Sequence, residues 1–127
     1  MIINKSIDIE DEVRIALKDY LTVYCRPLPK NYSVPHILVT WVGGNDTNTI
    51  DKFRVVLDAR AEVDGEAVEY LNTAIGILKQ VAKEQTTALR HVTINSYTPW
   101  GEDPVRPDLT MCSAALEITA HQYKTEV

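Results

Sequence analysis

The side chains that could do chemistry are few and scattered. His36, His91 and His121 are the three histidines, and they show no ligand spacing to one another. With only two cysteines, Cys25 and Cys112, they make no zinc motif. The five glycines, Gly43, Gly44, Gly65, Gly76 and Gly101, form neither a dinucleotide fingerprint nor a phosphate loop. Cys112 sits on the apolar side of an alternating stretch, where packing accounts for it, and nothing near Cys25 in sequence would lower its pKa. Asp58, Glu62 and Glu117 fall on polar faces of alternating stretches, as solvent-facing carboxylates do. One arrangement remains for acid–base work: His91, Glu117 and His121 could converge on adjacent strands. The main reading is therefore a protein with no catalytic, cofactor or metal site. The alternative is a small cytoplasmic α+β enzyme built on that trio.

The elements that would position these residues follow from periodicity. Asp8 is a plausible N-cap for a helix from Ile9 to Tyr20, with Glu10, Asp11 and Glu12 in its first turn, where the helix dipole favours acids. Ile9, Val13, Ala16, Leu17, Tyr20 and Leu21 form its apolar stripe. Thr22–Cys25 reads as a short strand running into an extended segment with Pro27 and Pro29. Ile37–Val42 is an apolar strand in which Trp41 reads as core, and Gly43–Asn48 reads as a turn or loop tip. A second long strand, Thr49 to Val63, alternates Phe53, Val55, Leu57, Ala59 and Ala61 with mostly charged residues, so the two strands predict a projecting antiparallel hairpin.

A second amphipathic helix spans Gly65 to Glu84 with Asp64 as N-cap, and Gly76 within it suggests a close backbone approach. Strands follow at Leu89–Tyr97 and Leu109–Gln122. The order α-β-β-β-α-β-β predicts an α+β fold: a mainly antiparallel sheet of four to five strands with two helices packed on one face. The three histidines default to surface or strand-edge positions.

Composition bounds the function. The 127 residues, 1–127, make a single domain with no repeat or composition break. Thirteen Lys+Arg against eighteen Asp+Glu give a net charge of −5, which argues against gripping nucleic acid through bulk electrostatics. No stretch reaches the roughly 18 apolar residues that a membrane span needs. The N-terminus turns acidic within eight residues, unlike a signal peptide, so a reducing cytoplasm with both thiols free is expected. Asn31-Tyr32-Ser33 and Asn45-Asp46-Thr47 are then chance glycosylation matches.

The most unusual stretch is the loop from Tyr97 to Asp108, which holds Trp100 and Arg106 among three prolines. Prolines lower the entropy cost of ordering a loop, and Trp and Arg are enriched at binding hot spots. Either Trp100 tucks onto the core of its own domain or the loop docks a partner.

Taken together, the acidic helix Asp8-Ile9-Glu10-Asp11-Glu12-Val13, the strand Tyr24-Cys25-Arg26-Pro27-Leu28-Pro29, the hairpin, the second helix and the connector Ser96-Tyr97-Thr98-Pro99-Trp100-Gly101-Glu102-Asp103-Pro104-Val105-Arg106-Pro107 give a recognisable pattern. The chain resembles a tail terminator protein, also called a tail completion or tail-to-head joining protein, of long-tailed bacteriophages. The resemblance spans the chain through element order and one loop style. It implies a ring, usually a hexamer, that caps the tail tube, stops its polymerisation and offers a surface to the head–neck connector, with DNA only as passing cargo. It implies assembly in the host cytoplasm, residence in the virion at the tail–head junction, and no membrane, cofactor or catalysis.

Within that reading, Gly44, Asn45 and Asp46 of the hairpin loop face an axial partner or the lumen, and Tyr97, Trp100, Asp103 and Arg106 meet a neighbouring subunit or the tube protein. Another neck or minor capsid protein, for head completion, is the near alternative. A monomeric adaptor holding a peptide at Trp100 is a third.

Overall fold

The alternating stretch ending at Ala61 forms the middle of the molecule. The computed structural model describes residues 1–47 and 50–127. In chain order its elements are β1 (Ile2–Lys5), α1 (Ile9–Leu17), β2 (Val23–Cys25), β3 (His36–Thr47), β4 (Ile50–Ala61), α2 (Asp64–Glu84), β5 (Leu89–Thr98), β6 (Thr110–His121) and β7 (Tyr123–Glu126). One five-stranded sheet runs β2-β3-β4-β6-β5, and β1 pairs with β7 in a separate two-stranded sheet. Among the described residues, only β2 beside β3 is parallel; the other pairings are antiparallel.

Alternation decides which face is buried. Phe53, Val55, Leu57, Ala59 and Ala61 of β4 lie on the same face as Ile37 and Val39 of β3, Leu116 and Ile118 of β6, and Leu89 and Val92 of β5. Ile9, Val13 and Leu17 of α1 and Leu71, Ile75 and Leu78 of α2 close over them in one core. Each buried Leu or Ile contributes about 1.5–3 kcal/mol. Both helices thus cover one side of the sheet, the architecture expected from the element order. Among the described residues, no helix is long and apolar enough to cross a membrane.

Several boundaries differ from expectation. Helix α1 stops at Leu17 instead of Tyr20, and a closing turn follows in which the N–H groups of Tyr20 and Leu21 share the Leu17 carbonyl at 3.0 and 2.9 Å. Tyr20, assigned to the apolar stripe, is exposed. Asp8 does cap α1, accepting from the Asp11 N–H at 3.3 Å. Asp64 is the first residue of α2, and the N-cap position falls to Val63, whose side chain makes no capping bond. The short strands β1 and β7 were not foreseen. They join the chain ends, where the N–H of Val127 donates to Met1 O at 2.9 Å.

Gly43 and Gly44 do not form a turn. They lie inside β3, which runs on to Thr47, with a register shift between Trp41 and Gly43. Their φ values are +146° and +150°, and a Cβ on Gly44 would stand 2.0 Å from the Lys52 carbonyl oxygen. Glycine is needed there for both reasons. Asn48, expected in the turn, and Thr49, expected to open the next strand, lie outside the described residues.

Three side chains sit in environments that periodicity did not convey. Trp41 is half exposed and not core: it shares the face of Phe53, meeting it edge-on at 5.9 Å, but stands at the rim of the helix layer. His36 is fully buried and not at the surface, held edge-on by Tyr24 at 5.2 Å and Tyr32 at 4.9 Å. Its Nδ1 lies 2.7 Å from Ser33 O, so Nδ1 carries the proton, and Nε2 has no partner among the described residues. Gly76 makes no close approach: apart from its own helix backbone, a Cβ there would meet no atom of the described residues within 4 Å.

Two outcomes follow. Gly76→Ala removes backbone entropy from the unfolded chain without a clash and is expected to stabilise by about 1 kcal/mol, read as a rise of a few degrees in Tm. Burial, ahead of a nearby Arg60 charge and against the Ser33 bond, holds the His36 imidazole below its ordinary 6.5. The unfolded chain therefore takes up this proton first, and stability should fall as pH drops below about 6.5 towards the lower folded value. Thermal melts of the wild type and His36→Gln between pH 7 and pH 5 check this; the wild type should lose more.

Candidate interaction surfaces

The proline-rich loop is built around an ion pair beneath it. Arg60, near the end of β4, points its Nε at Asp103 Oδ2 at 2.7 Å, with both side chains largely buried. The other oxygen, Asp103 Oδ1, accepts from the N–H of Val105 at 2.9 Å and of Arg106 at 3.3 Å. Burial alone would raise this carboxyl, but the Val105 N–H, the Arg60 guanidinium and the Arg106 N–H together hold it below the usual carboxylate range. Backbone bonds complete the frame: Met111 donates to Gly101 O, Asp103 to Leu109 O and Leu109 to Arg106 O. A bridge between Glu102 and Thr110 extends the β5–β6 hairpin into the loop.

With its base fixed, the loop turns apolar side chains outward. Trp100 is 71% exposed and Val105 84% exposed, so Trp100 does not tuck onto its own core. Trp100 borders a cleft of about 370 Å³ that also takes in Glu62, Asp64, Glu102 and Asp108. Arg106 is forked onto Asp108 at 3.0 and 2.7 Å, which holds its guanidinium across the loop and raises its pKa. Tyr97, at the end of β5, donates its hydroxyl to Asn72 of α2 at 3.2 Å. Of the four loop residues expected to meet a partner, Trp100 and Arg106 are outward, Tyr97 is partly outward, and Asp103 is 3% exposed and occupied inside the chain. Val105 was missed, although its place between Pro104 and Arg106 in a loop with three prolines marked it as exposed.

Gly44, Asn45 and Asp46 belong to the far end of β3. There the sheet has an open edge, because β2 pairs with β3 only from Ile37 to Val39. Glu10 of α1 covers the first part of that edge. Its Oε2 accepts the Trp41 N–H at 2.8 Å while Arg26 forks onto the same carboxylate at 3.0 and 2.6 Å. The acidic start of α1 thus does more than face solvent. At the other side of the sheet β5 is an edge along its length, and Thr93–Thr98 carries no charged residue. Natural edges are blunted by charge or by bulges; this stretch has no charge, and its ladder is irregular between Ile94 and Ser96.

The possible catalytic trio is only loosely grouped. His91 stands opposite Thr119, between the positions of Glu117 and His121, so all three share the uncovered face of the sheet. No cluster of three or more His, Cys, Asp or Glu among the described residues is placed to hold a metal. Cys25 donates its thiol to Glu10 O at 3.3 Å, and burial, ahead of the neighbouring Glu10, pushes its pKa up. Cys112 is fully buried and its pKa is pushed up to about 11, chiefly by burial, which disfavours the thiolate.

Removing one partner of a buried ion pair leaves the other uncompensated. Asp103→Ala is expected to lower stability by about 3 kcal/mol or more, read from the urea midpoint, and to free the loop to proteolysis between Trp100 and Arg106. No protein-family model and no curated protein sequence matches the chain.

Proposed function

We propose that this chain is a virion assembly protein of the tail-terminator type, acting through its surface as a subunit of a ring. The observation that carries this reading is the pair of open edges on opposite sides of one sheet: β5 on one side and the end of β3 on the other. Edges so placed suit head-to-tail contacts between identical subunits, and such contacts close into rings when the rotation allows. The rigid loop bearing Trp100 and Val105 beside the β5 edge adds an apolar anchor of the kind that dominates interfaces.

The rest of the proposal comes from the family resemblance. The ring is a hexamer seated on the tail tube protein, it presents a face to the head–neck connector, and it resides at the tail–head junction. DNA passes through it as cargo, and a net charge of −5 is compatible with a duplex that must slide. No cofactor and no catalysis enter this reading.

Native mass spectrometry of the purified chain, alone and with tail tube protein, is expected to give a six-fold ring. Trp100→Ala combined with Arg106→Ala should weaken the ring and leave the monomer folded by circular dichroism. A strict monomer under all conditions, or a ring indifferent to both substitutions, contradicts the proposal.

A further inference from the structure

Near the tip of the β3–β4 hairpin, on the helix-bearing face, lies an open pocket of about 220 Å³. Ser6, Trp41, Asp46, Asp51 and Phe53 are among its walls. Its charge is one-sided. Asp46 and Asp51 stand directly opposite each other in the antiparallel register, a placement in which like charges repel. Asp51 is only 3% exposed. One of its carboxylate oxygens accepts from Gln122 Nε2 at 2.9 Å, and the other has no hydrogen-bond partner among the described residues. Neither aspartate has an ion-pair partner among the described residues. Lys52 also borders the cavity, but its register position opposite Thr119 turns it to the other face of the sheet.

The wall beside these carboxylates is aromatic and held in place. The Trp41 indole N–H donates to Gly43 O at 2.8 Å, and its ring rests edge-on against Phe53, yet half of the side chain remains open. Asp46 and the Trp41 indole face the opening together, and Asp51 lies just beneath them with one oxygen unpartnered, so a cation seated against the indole meets Asp46 directly and the charge of Asp51 from below. The volume is below the roughly 300–1,000 Å³ of pockets for drug-sized ligands, so a single side chain fits it better than a cofactor.

From this geometry we infer that the cavity is a binding site for the guanidinium group of an arginine presented by a partner chain. Guanidinium is planar, stacks on indole and is less strongly hydrated than an ammonium, which suits a site with one exposed aromatic wall. It also forks onto carboxylates through paired N–H donors. The site lies by the open end of β3, where an incoming chain has access to it. The inference does not rest on the ring reading, since a monomeric adaptor could use the same cavity.

The test uses the 127-residue chain and two small probes, Nα-acetyl-arginine methylamide and its neutral isostere Nα-acetyl-citrulline methylamide. The readout is the indole N–H resonance of Trp41, with Trp100 as internal control. The arginine probe should shift Trp41 saturably and leave Trp100 in place, and the citrulline probe should bind about tenfold more weakly or worse, the loss of a charge-assisted bond. Asp46→Asn and Asp51→Asn should each weaken the arginine probe to a similar degree. Should Asp51→Asn fail to fold, the exposed Asp46→Asn decides alone. Equal shifts from both probes, an arginine affinity unchanged by Asp46→Asn, or a saturable shift from calcium chloride but not from the arginine probe would each overturn the inference.

Discussion

The register of β4 is the constraint on which the rest of the structure depends. This strand pairs with β3 on one side and β6 on the other, and every second residue from Phe53 to Ala61 enters the core. A slip of one residue would carry all five apolar side chains to the uncovered face. The bulge after Trp41 absorbs one residue of β3 without disturbing that register, and the glycines that follow accept the backbone this requires. Asp46 and Asp51 face each other across the hairpin as a direct consequence.

The same strand sets the loop. Arg60 lies one residue before the end of β4, on the face away from the helices, and its ion pair with Asp103 ties the connector between β5 and β6 to the middle of the sheet. A buried pair of this kind adds little net stability against an apolar substitute, but it fixes one geometry. Here that geometry sends Trp100 and Val105 outward. Core, open edges and exposed loop are therefore linked through one strand, and the proposed role as an assembly subunit draws on all three.

Much of this was legible in the sequence because it rested on periodicity. The alternation in β4 and β6 and the helical stripe of α2 named their own buried faces, and the Asp8 cap marked the start of α1. Periodicity names a face, however, and not whether another element covers it. Periodicity assigns Trp41 to the core for that reason, although it lies on the inward face beyond the edge of the helix cover. Asp51 shares the parity of Phe53, which could have flagged a buried carboxylate, but an acid near a strand end looks like any solvated one. His36 gave no local sign of burial because Tyr24 and Tyr32 meet it only in three dimensions. The glycine pair reads as a turn in sequence because φ > 0 serves turns and bulges alike. The strands β1 and β7 pair the two chain ends, a contact between residues too distant in sequence for any local pattern to announce.

The central claim is that this chain works through the open edges of its sheet. Hydrogen–deuterium exchange, comparing dilute protein with protein concentrated alone or mixed with tail tube protein, addresses it most directly. The account predicts that β4 and β6 amides are slow, while the amides that point away from the sheet in β5 from Thr93 to Thr98 and in β3 from Gly43 to Thr47 exchange quickly when dilute and slow on assembly. Unchanged exchange at both edges, or new protection confined to the outer surfaces of α1 and α2, would contradict it.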